Sequence, residues 1–145
     1  MIIILDSNVV MSALIKSSQT RQIIFHSGYK FYHPKVALRN LEKYKEEIMK
    51  KAGMSEEEYE KLLKTLFENI ILVDEIDFLD KLEEAKEIMA SIDIEDVPFI
   101  ALALSMQNDG IWSDDNHFQK QNKIKIWKTG QVMKKLMDQF RDALS

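Results

Sequence analysis

The chain has 145 residues, a formal net charge of −4, 46% hydrophobic and 30% charged residues, and no cysteine. That length suits one domain, residues 1–145, around a single core, and the absence of any apolar run near the ~20 residues of a membrane span excludes a transmembrane protein. Disulfides and zinc–thiolate sites are excluded too, and the chain enters its first strand with no basic region or cleavage site, which predicts a cytoplasmic location.

In chain order, residues 1–5 are Met, Ile and Leu without alternation and predict a strand buried on both faces of a parallel sheet. Two short helices are expected at 9–16 and 20–27 around the polar stretch KSSQT, with Gly28 ending the second before a strand at 30–33 closed by Pro34. Residues 36–52 predict a helix with Ala37, Leu41, Tyr44 and Ile48 on one stripe, stopped by Gly53. Ser55 and Glu58 then form a capping box for a helix at 56–68, so that about 36–68 is a Lys/Glu-rich helical hairpin. A strand at 70–73, helices at 78–90 and 97–107, strands at 110–113 and 123–127, and a helix at 131–143 follow. This alternating order implies a mostly parallel α/β sheet covered on both faces.

The chemistry gathers at strand and helix edges. Asp6 stands one residue past the first strand, where open α/β sheets bind their ligands, and Ser7 and Asn8 add oxygen groups in the same turn. Asp96 precedes Val97 and Pro98 at a helix start, and Asp115 follows the strand GIWS, with Asp114 as a competitor beside it. Capping accounts for Asp6 or Asp96 taken singly, and turn propensity for one of Asp114 and Asp115. Taken together, carboxylates converging on one sheet edge repel and hold raised pKa values unless a cation neutralises them. Magnesium or manganese suits such an oxygen set, and phosphodiester hydrolysis suits such an ion.

Four stretches, ILDSNVVMSALI at 4–15, HPKVALRNLEKYKEEI at 33–48, IEDVPFIALAL at 94–104 and IWSDDNHF at 111–118, resemble the acidic motifs of the PIN-domain nucleases, which include the VapC-type toxins. By that resemblance Asp6, Asp96 and Asp115 match the metal-ligating and catalytic acids, Ser113 the small hydroxyl residue before the last acid, and Asn8 a supporting polar residue, with Asp114 in a variable position. The resemblance implies a three-layer α/β/α sandwich, Mg2+- or Mn2+-dependent cleavage of RNA, a homodimer and an antitoxin partner.

The second motif departs from the family, because Asn40 fills the slot usually held by glutamate. At ~100° per residue, Asn40 lies roughly 70° from the centre of the apolar stripe and Glu42 roughly 130° away, so Glu42 is not the substitute. One negative charge is missing, which implies weaker metal affinity and raises the alternative of a catalytically lapsed RNA- or protein-binding module. A phospho-receiver is disfavoured because no acceptor aspartate ends a strand near the first third of the chain, and a haloacid-dehalogenase-like phosphatase because Asn8 replaces its second aspartate. Trp112 and Trp127 read as core, His117 as a turn residue, and Lys16, Arg21, Lys35 and Arg39 as candidates for guiding a phosphate backbone.

Overall fold

The computed structural model describes residues 1–16 and 19–145. Strand β1 (Ile2–Leu5) leads into α1 (Ser7–Ile15) and α2 (Gln19–His26), then β2 (Lys30–Pro34). Helices α3 (Leu38–Lys43), α4 (Lys45–Ala52) and α5 (Glu56–Phe67) precede β3 (Ile70–Val73). Next come α6 (Leu82–Met89), α7 (Val97–Ser105), β4 (Ile111–Trp112), β5 (Ile126–Trp127) and α8 (Thr129–Leu144). The predicted KSSQT turn includes Ser17 and Ser18, which lie outside the described residues.

The five strands form one wholly parallel sheet in the order β3-β2-β1-β4-β5. Central β1 shows why its sequence does not alternate. Ile3 and Leu5 pack into a core with Phe31, Trp112 and residues of α1, α2, α5 and α8, while Ile4 enters a second core with Ile111 and residues of α6 and α7. Side chains still point alternately to opposite faces, but both faces are covered, giving three layers.

Several boundaries differ from the sequence expectation, each for a local reason. The helix expected over 36–52 begins as a 3₁₀ turn at Lys35–Ala37 and breaks at Tyr44, whose backbone sits at φ −104°, ψ 10°. Tyr44 therefore leaves the buried stripe and is 38% exposed, while Leu41 and Ile48 stay inside. The helix expected from 78 begins at Leu82, because two 3₁₀ turns, Glu75–Asp77 and Leu79–Lys81, flank Phe78 and deliver its ring fully into the core. The last strand is cut to two residues by Gln121: its Oε1 accepts the amides of Lys123 and Ile124 at 3.0 and 2.9 Å, and its Nε2 donates to the carbonyls of Phe118 and Ile124. One amide side chain replaces the ladder there. The hairpin region keeps its expected capping box at Ser55 and Glu58, and Lys45 of α4 pairs with Glu56 and Glu60 of α5 at 3.0 and 2.9 Å. Trp127 is only half-buried; Lys125 stacks 4.2 Å over its ring and its indole N–H donates to the Asp109 carbonyl.

Gly110 marks where β4 and β5 come closest. At φ +132°, a Cβ on this residue would lie 2.5 Å from the Lys125 carbonyl oxygen and 3.0 Å from the Trp127 ring. Gly110→Ala is expected to destabilise the protein by about 2–3 kcal/mol, through a strained backbone and a clash with backbone rather than a yielding side chain. Urea denaturation measures it; a change under about 0.5 kcal/mol would show that β5 is free to move away.

Candidate active site

The strand order reverses direction between β1 and β4, since β2 and β3 lie on one side of β1 and β4 and β5 on the other. Such a switch opens a crevice beyond the carboxyl ends of the two strands. The register Leu5↔Trp112 continues as a 3.1 Å bond from the Asp6 amide to the Trp112 carbonyl, so Asp6 and Ser113 leave the sheet side by side. On the β2 side His33, fully buried, donates from Nδ1 to the Leu5 carbonyl at 2.8 Å. Burial pushes His33 down to about 4, so at neutral pH the ring is uncharged and serves to fix the end of β1.

From Asp6 a relay of hydrogen bonds runs through the loop after β4. The Ser113 hydroxyl donates to Asp6 Oδ2 at 2.7 Å and accepts the Asp115 amide at 3.0 Å, and Asp115 Oδ1 accepts the His117 amide at 2.9 Å. Asp96 arrives from the other side of the crevice, at the end of the 3₁₀ turn Ile94–Asp96 that starts α7, with Pro98 in the helix's first turn. Asp93 caps that turn, its Oδ1 accepting the Glu95 amide at 3.0 Å.

Asp6 and Asp96 are 4% and 7% exposed, which is costly for ionised carboxylates. Burial is the main reason Asp6 rises to about 6; the charge of Asp115 adds to it, while the Ser113 hydroxyl and the amides of Asn8 and Ser7 oppose it. Asp96 rises to about 7, first through burial and then through the charges of Asp93, Asp6, Asp115 and Glu95. Its Oδ2 is buried and makes no hydrogen bond among the described residues. Among the described residues the side chains that bring metal-ligating atoms within 4.8 Å of one another are Asp93, Asp96 and His117, while Asp6 and Asp115 act on Asp96 through their charges. Oxygen donors, crowded negative charge and an orphaned buried carboxylate oxygen suit a divalent cation.

The other expected residues take different places. Asn8 is exposed in the first turn of α1 and lines a separate groove with Met11, Tyr44 and Lys51, so it meets Asp6 through its backbone. Asn40 donates from Nδ2 to the Ser7 hydroxyl at 3.2 Å and lines a cleft of about 290 Å3 with Arg39, Lys43 and Glu95, beside the turn that carries Asp96; Glu42 is exposed. Asp114 serves α8, accepting the amide and hydroxyl of Thr129 at 2.8 and 2.6 Å. Of the four candidate guiding cations, Arg21 donates to the carbonyls of Ala13 and Leu14 at the end of α1, Lys35 pairs with Asp74, and Lys16 lines the groove with Asn8, which leaves Arg39 at the cleft. Asp93, three residues before Asp96, carries no signal in the sequence. His117 does lie in a turn, as expected, and its ring comes within 3.2 Å of Asp93 and 3.6 Å of Asp115.

Comparison with known proteins adds two findings. The sequence model of a family described as PIN domain matches residues 4–137. A chain of the crystal structure of VapBC2 from Rickettsia felis bound to a DNA fragment from their promoter superposes with a TM-score of 0.67 at 13% identity, covering 88% of this chain and 98% of that one, a likeness of fold. No curated protein matches the sequence.

The raised carboxylates set a direction for stability. Asp96 titrates at 3.8 in the unfolded chain and at about 7 in the folded one, so folding takes up a proton between those values. Its contribution is present in full below the lower value and is lost as pH rises through the upper one. Asp96→Asn is therefore expected to raise the melting temperature of the metal-free protein at about pH 8 by roughly 2–5 °C, with the gain shrinking toward about pH 5; calorimetry at the two values checks it, and a pH-independent difference would contradict it. Asp114→Ala is expected to cost roughly 1–2 kcal/mol in urea denaturation, by uncapping α8, and to leave divalent-ion affinity within about twofold of wild type. A larger fall in affinity would move Asp114 into the metal site.

Proposed function

The chain belongs to the PIN-domain family, and from that premise we propose that it is a metal-dependent ribonuclease, the toxin of a toxin–antitoxin pair. The observation that carries this is buried Asp6, tied through Ser113 to Asp115 at the switch point of the sheet, with buried Asp96 near enough for the charges of both to act on it. Asp6, Asp96 and Asp115 would hold Mg2+ or Mn2+. Once bound, that ion would supply the positive charge that lets the carboxylates ionise together and that polarises a phosphodiester and an attacking water.

The chain's own residues set the geometry. Ser113 ties the Asp6 carboxylate to the backbone of Asp115, so the loops that follow two different strands are held together. Arg39 and Lys43 border the cleft beside Asn40 and offer charge to a phosphate backbone. Asn40 brings no charge, and its amide is committed to Ser7, which is what favours a second function, a lapsed module that binds RNA without cutting it. The toxin proposal also carries a homodimer, an antitoxin partner and a cytoplasmic setting. It is supported by a fold like that found in the VapBC2 structure, by the lack among the described residues of a helix long and apolar enough to cross a membrane, and by Met137, Phe140 and Leu144 standing exposed on α8.

The test is cleavage of a mixed single-stranded RNA pool with Mn2+. Wild type is expected to cut, Asp115→Asn to cut roughly 100-fold less or not at all, and Asn40→Glu to cut faster than wild type. Cleavage by Asn40→Glu alone would establish the lapsed module, and cleavage by none of the three would overturn the nuclease proposal.

A further inference from the structure

Two donors beyond Asp6, Asp96 and Asp115 face the same carboxylates. His117 Nδ1 lies 3.2 Å from Asp93 Oδ2, 3.6 Å from Asp115 Oδ1 and 3.9 Å from Asp96 Oδ2. Donor atoms sharing one ion at bond lengths of ~2.1 Å lie roughly 3.0–3.5 Å apart, so this spacing is close to that of a coordination shell. An ordinary surface ion pair would look different: the imidazole would direct its N–H at one oxygen. Here Nδ1 is buried among three acids and makes a hydrogen bond to none of them, and Asp96, 7% exposed, keeps its Oδ2 unpartnered as well. Asp93, Asp96 and His117 also bring their donor atoms within 4.8 Å of one another.

The scaffold under these donors is packed into the core. Phe118, next to His117, is fully buried and meets Phe99 of α7 edge to face at 6.2 Å. The contact that seats the imidazole thus also seats the helix that Asp96 begins. Asp93 supplies a fourth carboxylate where Asn40 supplies none, so the charge of the donor set is kept while its position moves to the turn before α7.

Resting on the metal-dependent activity proposed above, we infer that Asp93 and His117 are ligands of the same metal site and that the imidazole makes it a site for manganese(II) in preference to magnesium. Carboxylate oxygens suit both Mg2+ and Mn2+, but an imidazole nitrogen is a donor that first-row transition ions take up, Mn2+ least tightly among them, and that Mg2+, which keeps to oxygen, does not. The ion is then held by the Nδ1 of His117 and by carboxylate oxygens of Asp93 and Asp96, with Asp115, 3.6 Å from Nδ1, beside them.

Mn2+ added to the full-length protein and followed by pulsed electron paramagnetic resonance tests this directly. Wild type is expected to show nitrogen-14 modulation from a coordinated imidazole, and His117→Gln to lose that modulation. His117→Gln and Asp93→Asn are each expected to bind Mn2+ about 10–100-fold more weakly by calorimetry, with His117→Gln also narrowing the preference over Mg2+. Mn2+ bound without nitrogen modulation, in a wild-type protein whose binding is lost in Asp115→Asn, would overturn the inference and leave the metal-dependent nuclease standing. No Mn2+ binding by wild type would overturn both.

Discussion

The register between β1 and β4 is the constraint on which the rest of the molecule depends. Both strands are short, and the pairs Ile4↔Ile111 and Leu5↔Trp112 fix how they end. A slip of one residue would exchange inner and outer faces along the whole of β1, sending Leu5 into the opposite core and Asp6 away from Ser113. Two cores of different composition oppose that slip, because Ile4 and Leu5 are each fully enclosed by a different set of helices. Trp112 reinforces the pairing from beyond the sheet: its indole N–H donates to the Thr129 hydroxyl at 2.9 Å, and Thr129 is in turn held by Asp114. The adjacent acids Asp114 and Asp115 therefore divide their work, one anchoring α8 and the other turning into the crevice.

Holding carboxylates in that crevice opposes folding, and the fold offsets it with apolar burial nearby. Asp6 and Asp96 carry burial and mutual repulsion that an asparagine would relieve, yet each stands beside an enclosed hydrophobic element, β1 for Asp6 and the start of α7 for Asp96. Local rules of stability are broken where a site demands it and obeyed around it. The neutral His33 belongs to the obeying part. It gives the last carbonyl of β1 a donor where the ladder with β2 has ended at Ile4↔Tyr32, and its ring packs between Phe67 and Phe99.

Much of this was legible in the chain itself because the signals are local. An unbroken apolar run meant a strand enclosed on both sides, and Ser55 with Glu58 meant a helix start. What escaped depends on which loops meet across the molecule. Nothing in the run from 36 to 52 marks Tyr44 as a break, nor Gln121 as the side chain that stands in for a ladder. Arg21 read as a free cation because its partners are backbone carbonyls of the preceding helix, which carry no sequence signature. Asp93 and His117 were obscured for the same reason. They are 24 positions apart, and their closeness, with the Phe99–Phe118 contact beside it, is visible in three dimensions alone.

The change from glutamate to asparagine at position 40 looks like a simple loss when motifs are compared one at a time. On the metal site inferred above, it would change how that site is attached to the fold. An acid on α3 would couple the ion to a short helix that ends at Tyr44, whereas Asp93, Asp96 and His117 belong to two segments clamped by one aromatic contact. With the inferred charge on the second support, the α3 side of the cleft belongs to Arg39, Lys43 and the amide of Asn40. Arg39 and Lys43 share that cleft with the carboxylate of Glu95, and on the function proposed above a neutral residue at position 40 would leave the α3 wall the more receptive to a polyanion.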